Sequence, residues 1–478
     1  MNILFVVWEL DPFFKMGGLG DVARSLPGAL KDVGVDVRVM LPYYRVTKTG
    51  RRKKTSVGHI DVPYAGKKER VDIFSVLHPI TGVIVYFLKN STYLDIVVSM
   101  DTWAFFAKAV VSLLKEQVIG WKPDVLHCND FHCGFIPLLV KVEKLPIKTI
   151  LTIHNLAYQG KTADSVLTRI GIDPSVCKIV WWEIKSHRIN TLMEGIIHAD
   201  VVTTVSPTYA KEIMTEEYGV GLNDILKGKE GRVYGILNGI DINQRHSTHQ
   251  KAVKYPFSPQ EKPIDSKEKY YIWQEGKRLN KHLLQKRLGL SLRNDIPLMC
   301  FIGRFDSGQK GLEIFHTMLR RIDQTKYQFV ILGSGELAWE QRFQWLMTFY
   351  PKQISCNFKF DEMLSHQIYA ASDFIIIPSR FEPCGLIQMI AMLFGTLPIA
   401  HNVGGLHDSI RDGVNGFLFS KYSSEQLEVT TKKAIDIWKH DRKKYESMVD
   451  AALTTDFSWT KNAAIYIQLY QKLIDNVL

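Results

Sequence analysis

Long apolar runs are missing from this sequence. None approaches the ~18–20 residues of a membrane-spanning helix, so no membrane partner is expected. Cysteine is scarce: six in 478 residues make no disulfide framework. Cys128 and Cys133 flank HCNDFHC with His127 and His132, but that spacing matches no common zinc pattern and nothing elsewhere completes a site. No Asp-x-Asp pair occurs anywhere, and there is neither an internal repeat nor a low-complexity tract. The opening MNILFVVWELDPFF lacks a basic leader region and a small-residue cleavage site, and it reads as a buried first strand of a cytoplasmic protein.

What is present describes a globular chain with 46% hydrophobic and 23% charged residues, long enough for two domains of roughly 200 or more residues each. The net charge of +11 suits phosphorylated ligands. It does not argue for nucleic acid: the longest basic run, Arg51-Arg52-Lys53-Lys54, lies in a polar loop without interleaved aromatics, and no nucleic-acid-binding module is evident.

The most informative stretch is PSRFEPCGLIQM, residues 378–389. An apolar strand, Phe374 to Ile377, ends at Pro378; a loop carries Ser379, Arg380 and Glu382; a helix follows from Leu386. Open α/β sheets place ligands on such loops at strand carboxyl ends. Amides at Gly385, Leu386 and Ile387 suit an anion, and Glu382 can accept bonds from a polyol. An acid capping a helix on an ordinary loop is the plainer reading, but a second loop, GTLPIAHNVGGLHD, follows at once. Near the N-terminus, Lys15, Met16, Gly17, Gly18 and Asp21 lie between a strand and a helix expected from Val22, an arrangement that cradles phosphate. Arg304 and Lys310 stand on a similar Gly-containing loop after the strand at 297–303 and read as a pyrophosphate clamp. Asp130 and His154 each follow an apolar strand. A helix is expected over 184–198, and a polar, Pro-containing crossing segment from Asn243 to about Leu283. The expected domains are residues 1–243, completed by a C-terminal helix in 459–478, and residues 244–458.

FEPCGLIQM followed by FGTLPIAHNVGGL resembles the C-terminal signature of bacterial glycogen synthases and plant starch synthases. KMGGLGDVARSLP, HNLAYQG and FSWTKNAAIYIQLY extend the resemblance over essentially the whole chain, in the family's order. It implies the GT-B architecture, two Rossmann-like α/β domains with parallel sheets facing a central cleft. It also implies a retaining transfer of glucose from a nucleotide sugar to the non-reducing end of an α-1,4-glucan. The family's usual bacterial and plant donor is ADP-glucose; no residue separates it from UDP-glucose. No cofactor is implied.

On this resemblance Glu382 and His154 orient the glucosyl ring, with Asp21, Asp130 and Asn238 as weaker candidates. Arg304, Lys310, Lys15 and the amides near Gly17, Gly18, Cys384, Gly385, Leu386 and Ile387 hold the diphosphate. Phe360 stands where the family has a tyrosine that stacks on the base. Other departures are Met16 and Ile387 for threonines, Lys310 six rather than five residues after Arg304, and Thr102-Trp103 where an Arg-Phe pair falls. With no Asp-x-Asp pair, the basic clamp is expected to work without a metal. Two other readings fit this fold: a nucleotide-sugar epimerase, and a glucan-binding protein with weakened catalysis.

Overall fold

The computed structural model describes residues 1–50, 52–96, 99–173, 187–241, 253–258, 271–359 and 361–477. The chain divides into two compact units, Met1–Gly239 with Trp459–Leu478, and Ile240–Ser458.

The first unit is built on β1 (Asn2–Val6), β2 (Asp36–Pro42), β3 (Thr55–Tyr64), β4 (Lys67–Leu77), β5 (Ile84–Lys89), β6 (Val125–Asn129), β7 (Lys148–Ile153), β8 (Val201–Thr204) and β9 (Val233–Gly235). They form one sheet in the order β9-β8-β7-β6-β1-β2-β5-β4-β3. Pairing is parallel from β9 to β5, so the central strands are apolar throughout, as at Ile3 to Val6. The alternating residues between 50 and 88 form an antiparallel hairpin, β3–β4, added to the β5 edge.

Helix α1 (Gly18–Asp32) begins four residues before its expected start, because Gly17 serves as an extended N-cap. Gly18 and Asp21 are therefore in its first turn, where a carboxylate is favoured by the exposed amides. Helix α2 spans Met100–Glu116. The helix expected over 184–198 is shorter: α3 (Thr191–His198) follows a brief strand at Arg188–Asn190. Asn190 marks the change by accepting a bond from the Met193 amide at 3.1 Å. Residues 184–186 lie outside the described residues. The C-terminal helix, Trp459–Ile474, packs Ala463, Tyr466, Leu469, Tyr470 and Leu473 into the core that holds the apolar face of α1. Its Tyr470 hydroxyl bonds His127 Nδ1 at 2.7 Å, and Thr152 Oγ1 holds Nε2 at 2.6 Å. His127 is a core residue.

The second unit has β10 (Leu298–Ile302), β11 (Gln328–Leu332), β12 (Ile354–Asn357), β13 (Phe374–Ile377), β14 (Leu397–His401) and β15 (Phe417–Phe419). All pair in parallel, in the order β12-β11-β10-β13-β14-β15. Helices α4 (Trp273–Leu288), α5 (Leu312–Arg321), α6 (Leu337–Phe349), α7 (Glu362–Ala371) and α8 (Ile387–Leu393) belong to it.

Helix α4 corrects the expected crossing segment, most of which lies outside the described residues. Its inward face carries lysines, which composition reads as exposed. Lys277 Nζ donates to Phe394 O at 2.9 Å, Thr396 Oγ1 at 3.0 Å and Tyr369 O at 3.3 Å, while Lys281 Nζ reaches Ile296 O at 2.6 Å and Asp373 at 3.1 Å. Burial pushes Lys277 down to about 7. Lys277→Ala removes the donor that bridges Phe394 O and Thr396 Oγ1 and leaves a void beside them, while Tyr369 O keeps its bond from the Thr396 hydroxyl at 2.5 Å. The substitution is expected to destabilise this unit by about 2–4 kcal/mol, read from the urea midpoint of its unfolding transition. An unshifted midpoint would show that the lysine only fills space.

Candidate active site

In an open parallel sheet, the crevice for a ligand forms where strand order reverses, at the carboxyl ends of the two strands that diverge. The first unit reverses between β1 and β6, the second between β10 and β13. The loops after these four strands carry most of the residues singled out from sequence.

At the first reversal, the loop after β1 is shaped by an acid that sequence reasoning overlooked. Glu9 is buried, and its Oε2 accepts from the amides of Met16 and Gly17, the latter at 2.9 Å. Burial raises its pKa despite these amides. The signal was available: an acid directly after an apolar strand, in WELDPFF, at a strand's carboxyl end. Lys15 Nζ lies 2.7 Å from Asp21, whose carboxylate also faces the buried Arg24 at 3.6 Å. The Met16 side chain is exposed.

After β6, Asp130 has φ +56°, a left-handed value uncommon for a residue with a side chain. The turn brings its Oδ1 to the His154 amide at 2.8 Å, at the end of β7. Burial, with Glu9 adding to it, pushes the Asp130 carboxyl up to about 7. His154 is held neutral, its pKa pulled down to about 3 by burial. Its tautomer follows from Asn129, whose Nδ2 donates to Val6 O at 3.0 Å and to His127 O at 3.3 Å. Asn129 Oδ1 is therefore an acceptor, so His154 Nε2–H donates to it at 2.9 Å and Nδ1 remains an acceptor.

His132 stacks on Trp8 at 4.3 Å and meets the edge of Trp103 at 4.7 Å. Thr102 and Trp103, which stand where the family has an Arg-Phe pair, are both buried. Asn238 is also buried, but its Oδ1 has no donor among the described residues, and no contact joins it to Lys15, Asp130 or His154.

At the second reversal, the loops after β10 and β13 touch backbone to backbone. Gly311, at φ +63°, comes so close that an added Cβ would stand 1.9 Å from Pro378 O. Arg380 N donates to Gln309 O at 2.8 Å. Lys310 Nζ meets Glu382 Oε2 at 2.7 Å, and the Ser379 hydroxyl donates to the same oxygen at 2.9 Å. Arg304 is exposed, with no carboxylate paired to it among the described residues. The loop after β14 joins them, since Gly405 N donates to Glu382 O at 3.0 Å.

Gln388 holds the start of α8, its Nε2 donating to Gly385 O at 2.6 Å and to Cys384 O at 3.0 Å. Leu386, the N-cap, and Ile387 supply the first amides of that helix, which have no acceptor within it, and Gly385 stands just before them in a left-handed turn at φ +70°. Cys384 is buried against the Gly405 backbone. Phe360 lies outside the described residues. The structure therefore gathers Lys15, Gly17, Gly18, Asp21, Asp130 and His154 at one reversal, and Arg304, Lys310, Glu382, Cys384, Gly385, Leu386 and Ile387 at the other. Among the described residues, no group of three or more His, Cys, Asp or Glu side chains is placed to hold a metal.

A basic group thus stands against a buried carboxylate on loops at the switch point of a parallel sheet, where open α/β sheets place their ligands. Residues 2–228 match the family described as Starch synthase catalytic domain, and residues 286–454 match Glycosyl transferases group 1. Glycogen synthase of Streptococcus gordonii is 38% identical over 99% of this chain and 100% of its own length. That of Clostridium beijerinckii is 36% identical over 99% of each. The chain belongs to the glycogen and starch synthase family.

The catalytic domain of starch synthase IV from Arabidopsis thaliana, solved bound to ADP and acarbose, superposes on this family member with a TM-score of 0.87 at 31% identity, covering 99% of each chain. Sucrose-phosphate synthase from Thermosynechococcus elongatus, at 18% identity and a TM-score of 0.61, shares the fold. This synthase-family chain is a glycosyltransferase of GT-B architecture. No helix among its described residues is long and apolar enough to cross a membrane.

Proposed function

We propose that this chain is a glycogen synthase that transfers glucose from ADP-glucose, with retention, to the non-reducing end of an α-1,4-glucan. The observation that carries the reading is the Lys310–Glu382 pair, 2.7 Å apart at the switch point, with exposed Arg304 on the same loop. Breaking a glycosyl–diphosphate bond puts growing negative charge on the departing phosphate. Arg304, Lys310 and the first amides of α8 answer that charge, with Lys15 and the Gly18 amide as further donors; the Gly17 amide is taken by Glu9. Glu382 accepts from hydroxyls of the glucosyl ring. Neutral His154 accepts from another through Nδ1. Asp21 acts on Lys15 and Asp130 on the His154 backbone, so both are positioning residues. Among the described residues no second carboxylate pairs with Glu382 in the manner of a glycosidase, which favours a front-face transfer through an ion-pair-like intermediate.

The test is incorporation of radiolabelled glucose into glycogen from ADP-glucose and from UDP-glucose, each with and without EDTA. ADP-glucose is expected to be the better donor and EDTA to leave the rate unchanged. Absence of incorporation would overturn the synthase reading, and a preference for UDP-glucose would overturn the donor. Loss with EDTA that magnesium or manganese restores would overturn the metal-free clamp.

A further inference from the structure

Between α5 and α6 lies a cavity of about 620 Å³ lined by His316, Arg320, Ala338, Gln341, Arg342 and Trp345. Three of these side chains are basic and none is acidic. Among the described residues no carboxylate pairs with Arg320 or Arg342; Arg342 lies over the Trp339 ring at 4.5 Å instead. His316 Nε2 is buried without a hydrogen-bond partner among the described residues. Burial lowers the pKa of His316, and the two nearby arginines lower it further. Trp345 adds a broad apolar face, 52% exposed, with its ring centroid 4.4 Å from that of Phe349.

We propose that this cavity binds a small organic phosphate monoester, its oxyanion taken by Arg320, Arg342 and His316 and its sugar or base laid on Trp345. Arginine forks match tetrahedral oxyanions, and an aromatic face suits the flat side of a sugar or base. A neutral glucan fits less well. Its hydroxyls donate as well as accept, and apart from the unpartnered ring nitrogen of His316 the lining side chains offer only one acceptor, the amide oxygen of Gln341.

The cavity is joined to the clamp loop. Trp339, beneath Arg342, donates from Nε1 to Ser307 Oγ at 2.8 Å, and Ser307 lies between Arg304 and Lys310. An anion that draws Arg342 from Trp339 alters the packing of the residue that holds that loop, so occupancy shifts the KM for the nucleotide-sugar donor. This consequence rests on the donor role proposed for the loop; binding itself does not.

The test is isothermal titration of the full chain with glucose 6-phosphate, AMP and orthophosphate, each in the presence of saturating ADP so that the donor loop is occupied. At least one organic ester is expected to bind saturably and more tightly than orthophosphate, the better of the two identifying the sugar or the base as the preferred body. Arg320→Ala with Arg342→Ala is expected to weaken binding about tenfold or more, and Trp345→Ala to weaken the esters but not orthophosphate. Arg320, Arg342 and Trp345 have exposed side chains, so the variants are expected to fold; circular dichroism checks this. The proposal is overturned if no probe binds saturably by about 10 mM, or if binding survives the double arginine variant. It is also overturned if binding is lost in Lys310→Ala but kept in the arginine variant, or if maltoheptaose binds through Trp345 while the phosphates do not.

Discussion

Replacing Lys310 by alanine is expected to lower kcat by about 10²–10³-fold while the donor KM changes far less. The reason lies in what Lys310 touches. It is already paired with Glu382 at 2.7 Å, so an arriving diphosphate gains little net charge stabilisation from it until the glycosyl–phosphate bond begins to break. An interaction that strengthens only as charge moves onto the leaving group lowers the barrier without tightening the substrate complex. Arg304 is different, because it is exposed and has no carboxylate paired to it among the described residues. It can hold the diphosphate from the start, so Arg304→Ala is expected to raise the donor KM as well as lower kcat. Initial rates over a range of donor concentrations separate the two patterns. Normal turnover by Lys310→Ala at saturating donor would remove the lysine from the leaving-group site.

How much of this was legible in the sequence varied with the kind of residue. Continuous apolar runs such as Phe374 to Ile377 announce parallel strands because both faces are covered, and the residues just beyond them fall at carboxyl ends. That is why Arg304, Lys310 and Glu382 could be named from their loops. The Lys310–Glu382 contact could not, since it spans 72 residues of chain and depends on β10 and β13 being neighbours in space. Helix α4 was missed because its buried face is made of Lys277, Lys281 and Gln285, whose polar ends find carbonyls and amides inside the fold. Glu9 was missed for a similar reason: its binding partners are backbone amides, which leave no trace in side-chain identity. Trp103 stands where the family has an Arg-Phe pair, and its burial against Trp8 and His132 was not readable either. Burial of that kind depends on two loops and a helix meeting, which local pattern does not encode.

Glu382→Gln is expected to divide binding from chemistry. The substitution keeps the shape of the side chain and its ability to accept from the Ser379 hydroxyl, now 2.9 Å away, but removes the charge that holds Lys310. Two effects follow with opposite signs. Lys310 loses its competing carboxylate, so ADP meets a freer cation and its Kd is expected to stay the same or fall. The glucosyl hydroxyls lose a charged acceptor, and the oxocarbenium-like transition state loses the field of a nearby carboxylate in a site where 7% of Glu382 is exposed. Transfer is therefore expected to fall by about 10²-fold or more although the nucleotide binds at least as well. Titration calorimetry with ADP and a transfer assay on the same preparation read the two halves independently. If ADP binding weakens in parallel with turnover, Glu382 is a structural partner of the Lys310 loop. Near-normal transfer would take it out of the mechanism altogether.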